Sequence, residues 1–573
     1  MFARSDRHSS LCLALSFMVS WGLLSGCQPN PDKADTIYTN ARIYTVNTER
    51  PWAQAVAVRG NTFIAVGSTD DVLMYADDET EVIDLAGKMI LPGFFDPHIH
   101  LEDFYLPNMA KDRMLLLPPL KSIEEIRETI ATYAADHPDL DVIFGKDLPN
   151  ELFPNDSPTR GFLDAFIPDR AVVLLTVSGH EALLNGKALE LAGITATTPD
   201  PENGEIIRDT ATGEATGFMK EAAYGKFAMP FQPALTLEQH TDGMAETIAL
   251  LNAEGITSVK HIHAQELEVQ ALHALDRADK LNLRVATAWT YKSSLNPVPV
   301  SVQELAIEQR AQYASDRIYP NHIKVNIDGI PTATAAMLEP YEGTNNLGMN
   351  YYDTEPLAEM IKRYDPAMDS IVFHTVGDRG ARIVLDALEQ AQDELGSLHS
   401  RPQLAHAHFI TDTDFPRMQA VNLTAEFSPI MWFEGGLTNA IWNMVGEERT
   451  RRYMPLGSAK RAGVRIVIGS DGPILYQTAL ASMESAVTRL PPGGGNPSTS
   501  ADEAITLAEA IAARTIDSAY LNNKEHETGS IEVGKLADFV VIDRDLFAIP
   551  IEEVSDAKVL LTVIDGQAVY TAE

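Results

Sequence analysis

Two histidines, His98 and His100, stand two residues apart at the end of the apolar run Leu91-Pro-Gly-Phe-Phe-Asp-Pro-His-Ile-His. Residues i and i+2 of an extended strand face the same way, so both imidazoles can project into one space. Two neutral imidazoles side by side suit a divalent transition metal. Four further β-like runs carry residues of the same chemistry in or near their ends. Lys324 lies in His-Ile-Lys-Val-Asn-Ile-Asp-Gly, His374 in Val-Phe-His-Thr-Val-Gly-Asp, His406 in Leu-Ala-His-Ala-His and Asp471 in Ile-Gly-Ser-Asp-Gly-Pro. Sulfur can play no part there, because the two cysteines, Cys12 and Cys27, both fall in the first 27 residues. That also excludes a disulfide framework in the body of the chain.

The elements that must position these side chains read as an alternation of strands and amphipathic helices. Candidate strands are Phe94–His100, Thr257–His263, Leu283–Tyr291, His322–Gly329, Ser370–Gly377, Gln403–Ile410, Thr424–Met431 and Arg465–Gly472, with helical stretches such as Glu238–Glu254 and Ala381–Asp393 between them. Eight such units predict an α/β fold, a (β/α)₈ TIM-like barrel whose chemistry gathers at the carboxyl ends of its strands. The stretch from the first strand to the second is too long for one crossover helix. An inserted subdomain, about residues 106–226, is therefore expected on the catalytic face. Short β-runs at both ends of the chain, residues 36–91 and 530–573, predict one small β-sandwich domain built from the two termini around a barrel spanning 92–529.

With 44 Lys plus Arg against 81 Asp plus Glu, the net charge of −37 repels phosphate backbones and argues against nucleic acid as a partner. Arg4 and Arg7 precede an apolar stretch from Leu11 to Leu24 that suits a signal-peptide core and is short for a membrane span. It ends in Leu24-Ser25-Gly26-Cys27, which resembles the lipobox of bacterial lipoproteins. That resemblance implies a signal peptide over residues 1–26, lipidation of Cys27, a polar tether over 27–35, and a protein anchored in the cell envelope at the periplasmic face of the outer membrane. An ordinary secretory signal cut elsewhere is the alternative.

The ordered set on strands one, four, five, six and eight resembles the amidohydrolase superfamily of metal-dependent hydrolases, and within it amidohydrolase family 3. The likeness extends to Ser178-Gly-His-Glu-Ala-Leu-Leu-Asn-Gly-Lys-Ala-Leu and Asp209-Thr-Ala-Thr-Gly-Glu-Ala-Thr-Gly in the insertion, and to Gly529-Ser-Ile-Glu-Val-Gly-Lys-Leu-Ala-Asp where the chain returns to the small sheet. The resemblance implies that His98, His100 and Asp471 hold the more buried of two metals and that His374 and His406 hold the second. It implies that Lys324 reacts with CO₂ to give a carbamate bridging both. Zinc is the default for such ligands, while iron, manganese, nickel or cobalt fit the same set. The implied activity is hydrolysis of a non-peptide carbon–nitrogen bond in a small amide, N-acyl or N-formyl substrate. A metal-bound hydroxide would attack, and Asp471 would serve as general acid/base.

Alternatives stay open on the sequence alone. Lys324 could instead pair with Asp328 in a one-metal site of a deaminase-like or ester-cleaving relative, and the barrel could be a non-catalytic solute-binding lipoprotein. His261 and His263 form a second His-x-His, read as lying behind the ligands, facing substrate, or serving structure. His180, in the insertion, is a candidate substrate contact or a helix cap. His408 shares a face with His406, but the Leu404-Ala-His-Ala pattern favours His406, even though the family usually has glutamate where Ala405 stands. Asp378 is expected to cap the following helix, and His137, His240, His273, His399 and His526 to lie in loops or on helix surfaces.

Overall fold

Eight parallel strands lie in sequential order: β1 (Phe94–Ile99), β2 (Ile256–Ala264), β3 (Arg284–Tyr291), β4 (Ile318–Asn326), β5 (Ser370–Thr375), β6 (Gln403–His406), β7 (Thr424–Phe427) and β8 (Ile466–Ile468). The computed structural model describes residues 33–572, apart from 294, 296, 297, 331–333, 433–435, 474–476 and 496–499. The lipobox and Cys27 lie outside the described residues. The barrel seam is drawn together just beyond β8, where Asp471 N–H donates to the His98 carbonyl and His100 N–H to that of Gly472, both at 2.9 Å. Barrel strands buried on both faces read as nearly continuous apolar runs, as the wholly buried β3 and β5 do here.

All eight expected strands are present, and their ends shift where polar groups take the backbone out of the sheet. β4 stops at Asn326 because the Asp328 carboxylate accepts the N–H groups of Ala336, Val376 and Gly377 at 2.7–3.0 Å. β6 stops at His406 because His406 and Ala407 turn to φ +71° and +43°, a left-handed conformation that no ladder continues. Outside the barrel, the helix Asp378–Leu395 buries Ala381, Val384, Leu385, Leu388 and Ala391, the three-to-four spacing of one helical face. It ends at Gly396, whose φ of +83° is the left-handed conformation usual for a glycine beyond a helix end.

The segment between β1 and β2 carries a six-stranded mixed sheet, in the order 204–208, 215–221, 181–184, 171–176, 142–148, 114–116. It has its own apolar cluster, including Ile126, Ile143, Leu174 and Phe218, and it overhangs the carboxyl ends of the barrel strands. The N-terminal segment forms a four-stranded sheet of its own, and strands from both chain termini form a six-stranded one, with Phe539–Ile542 pairing antiparallel to Met89–Pro92. Among the described residues no helix is long and apolar enough to cross a membrane.

Candidate metal centre

β1 delivers His98 and His100 to the barrel mouth, and the turn after β8 brings Asp471 against both. Asp471 Oδ1 lies 3.2 Å from His98 Nε2 and 3.3 Å from His100 Nε2, and Oδ2 lies 3.7 Å from His406 Nδ1. The imidazole rings form a continuous arc, with centroids 4.8 Å apart for His98 and His406 and 4.6 Å for His406 and His374. Close approach is built into the backbone at Gly469, where a Cβ would stand 2.7 Å from that of His98. Asp471 itself sits at φ +53°, a conformation that short polar residues tolerate better than most.

Burial alone would raise the Asp471 carboxyl, but the adjacent His98, His406 and His100 hold it well below the usual carboxylate range. Burial drives His406 far below an ordinary histidine, so it is a neutral ligand-type imidazole. His374 is lowered by burial as well, opposed by Asp328, whose Oδ1 lies 3.5 Å from Nδ1. Lys324 is 1% exposed, and burial brings its amine down to about 8, with Asp471 and Glu426 opposing. Its suggested partner Asp328 is committed to the three backbone N–H groups beyond β4 and β5 and, among the described residues, forms no ion pair with the lysine.

The donor set fits a divalent metal. The ligand atoms of His98, His100 and Asp471 all lie within 4.8 Å of one another, and so do those of His98, His406 and Glu426. Among the described residues, His98 Nε2 and His374 Nδ1 are buried polar atoms without a hydrogen bond, a costly condition that a coordinated ion would relieve.

Glu426, on β7, is a site residue that the sequence reading missed. Its Oε2 lies 2.8 Å from His98 Nδ1 and also accepts the His406 backbone N–H at 3.1 Å. The available signal was a glutamate inside the otherwise uncharged strand Thr-Ala-Glu-Phe, where a charge is rarely buried without a partner.

Above these residues opens a cavity of about 850 Å³, walled partly by the insertion and lined by all the predicted ligands. His180 lines it with Nδ1 2.8 Å from Glu221 Oε2, and it caps no helix, since Asn185 caps the helix that follows. The second His-x-His divides at an irregularity in β2: His261 is gripped by Glu268 at 2.5 Å, while His263 stacks on His100 with centroids 5.9 Å apart. His408 is buried, and neither ring nitrogen has a hydrogen bond among the described residues. Two minor expectations change. His240 is not a surface residue but is buried with Nδ1 2.8 Å from the Tyr105 hydroxyl. Asp378 is the first residue of its helix, after Gly377, and its carboxylate accepts the Leu338 N–H at 2.7 Å.

The sequence matches the amidohydrolase family over residues 81–570. The chain belongs to that family. It is therefore a hydrolase of the class that acts on carbon–nitrogen bonds, and its His/Asp cluster suits a divalent metal. Among similar proteins, the protein LONG AFTER FAR-RED 3 of Arabidopsis thaliana is 26% identical, over 96% of this chain and 94% of its own length. An N-substituted formamide deformylase of Arthrobacter pascens is 28% identical, over 94% of this chain and 98% of its own. The fold is shared with an uncharacterized metal-dependent hydrolase of Pyrococcus horikoshii, at TM-score 0.67 and 22% identity, covering 90% of this chain and 99% of that one.

Proposed function

We propose that the protein hydrolyses non-peptide amides of the N-acyl or N-formyl type, with two divalent metals at the barrel mouth. The observation that carries this is the convergence of His98, His100, His374, His406 and Asp471 around the buried Lys324 amine, on the floor of one large cavity. The formamide deformylase relative supports the bond type. His98, His100 and Asp471 would hold one metal and His374 and His406 the other, with Lys324 carboxylated between them. An amine carboxylates only when neutral, and burial brings Lys324 toward that state. When bound, the metals supply an activated water at neutral pH and polarise the scissile carbonyl. Asp471, beside both β1 histidines, takes the proton of the attacking water and delivers it to the leaving nitrogen. An amide needs that proton because its nitrogen is a poor leaving group.

A one-metal site on the same scaffold takes support from the clustering of His98, His100 and Asp471, whose ligand atoms all lie within 4.8 Å of one another. Elemental analysis of purified protein, joined to a screen of N-acyl and N-formyl amides, tests both. Two metals per chain with hydrolysis of a panel member is the expected result. Absence of metal and of hydrolysis would favour the solute-binding alternative.

We further propose lipid anchoring through Cys27 at the periplasmic face of the outer membrane, supported by the lipobox Leu24-Ser25-Gly26-Cys27. A Cys27→Ser variant is expected to leave the membrane fraction and to lose labelling by a fatty-acid probe.

A further inference from the structure

The last residues of the expected tether are fastened to one corner of the N-terminal four-stranded sheet. Ala34 N–H donates to the Tyr75 carbonyl at 2.9 Å, and the Lys33 ammonium donates to the carbonyls of Met74 and Ala76 at 3.2 and 3.0 Å. From the other side, Thr80 Oγ1 donates to the Ala34 carbonyl at 2.7 Å and Glu81 N–H to that of Asp35 at 2.9 Å. The strand Thr36–Thr39 then pairs in parallel with the edge strand Glu81–Asp84. The chain coming from Cys27 therefore reaches the fold at a fixed point.

Apolar side chains stand exposed around that point. The helix Thr69–Leu73 buries Val72 in a small cluster with Ile37, Ala55, Ala57 and Ala65. The two residues that follow stay outside it, Leu73 at 39% and Met74 at 63% exposed. Val82, paired with Ile37 and so on the same face of the sheet, is 49% exposed. Scattered exposed apolar residues need no explanation, but these three adjoin the place where the tether meets the domain.

Reach and charge say what covers them. Lys33 is six residues from Cys27, at most about 20 Å of extended chain. A lipid on Cys27 would hold this corner within that distance of the headgroups, at an effective concentration high enough to populate a contact too weak to recruit the protein alone. Residues 69–84 hold seven Asp and Glu and no lysine or arginine. Such a surface is repelled by an anionic leaflet and not by a zwitterionic one.

Resting on the lipid anchoring proposed above, we infer that Leu73, Met74 and Val82 form a membrane-docking face, seated in the interface of a zwitterionic bilayer beside the Cys27 lipid. The lipid holds the protein to the membrane, and this face decides which side of the protein the membrane meets. The depth expected of such a contact is about 5–10 Å, at the boundary of headgroups and acyl chains.

The test uses the full mature chain with its Cys27 lipid, verified by mass and reconstituted in phosphatidylcholine vesicles. With Cys12 removed in the signal peptide and Cys27 lipidated, no free thiol remains, so Met74→Cys can be labelled alone with bimane. Leu191→Cys, 56% exposed on the insertion, is the control. Lipids brominated near the headgroup end of the acyl chains are expected to quench the label at position 74 severalfold more than at 191. Adding Leu73→Glu and Val82→Glu should abolish that difference while the chain stays with the vesicles. Replacing part of the phosphatidylcholine by phosphatidylglycerol should weaken the quenching at low salt, and added salt should restore it. Equal quenching at the two positions, or none at 74 in a chain that carries its lipid, would overturn the inference. So would cross-linking of two chains through position 74 without quenching, which would assign the face to a second copy. A mass without lipid on Cys27 would defeat the anchoring itself, and this inference with it, before any vesicle is added.

Discussion

Glu426 Oε2 stands 2.8 Å from His98 Nδ1, at the back of the ring whose other nitrogen faces Asp471. A carboxylate only accepts, so Nδ1 carries the proton and Nε2 presents its lone pair to the metal position. A carboxylate behind a ligating histidine also raises the basicity of the ligand. Glu426→Gln can offer its amide nitrogen to the same ring and favour the wrong tautomer. Metal affinity is expected to fall about 10–100-fold, measured by competition with a chromogenic chelator. Unchanged affinity would show that Glu426 only fills space.

Lys324 offers a sharper test of metal number. Intact-mass measurement under gentle conditions should find the wild-type chain heavier by one CO₂, and acid should release it. Lys324→Ala should bind at least one metal fewer, and a short-chain carboxylate added in solution should restore part of the loss. Full metal content in Lys324→Ala would leave the one-metal site as the better account.

Asp471→Asn keeps the shape of the side chain and removes its capacity to take a proton. On the amide identified in the screen, kcat should fall by about 10²–10⁴-fold. Because the asparagine oxygen can still reach the β1 histidines, folding should survive, which circular dichroism checks. Full activity would rule out Asp471 as the proton carrier.

The barrel was legible because its strands are buried on both faces, and the strand-end reading picked out His98, His100, His374, His406 and Asp471, which the structure gathers around one cavity. Strand ends were legible only approximately. The carboxylate of Asp328 and the left-handed turn at His406 decide where pairing stops, and neither leaves a periodic trace. Glu426 escaped notice because its partner His98 is 328 residues away. Glu221 did so because the Thr334 hydroxyl it binds is 113 residues distant. Such pairs exist only once the strands are curled into a barrel.

Lys260, on β2 below the metal centre, gives a stability prediction whose sign is fixed. Its amine is fully buried, donating to Gln403 Oε1 at 2.9 Å and Ser370 Oγ at 3.2 Å. Burial lowers it from 10.5 to about 7, with Asp369 and Glu426 opposing. Between those values the unfolded chain binds a proton that the folded chain does not, so this lysine destabilises the fold at neutral pH and progressively less as pH rises. The full difference is on the order of a few kcal/mol. Lys260→Met removes the titration and leaves Gln403 and Ser370 short of a partner, at a pH-independent cost of about 1–3 kcal/mol. The wild type should therefore gain stability relative to Lys260→Met as pH is raised from about 7 to 10. Chemical denaturation of both chains across that range measures it, and since every other group is common to both, parallel curves would show that Lys260 titrates normally in the fold.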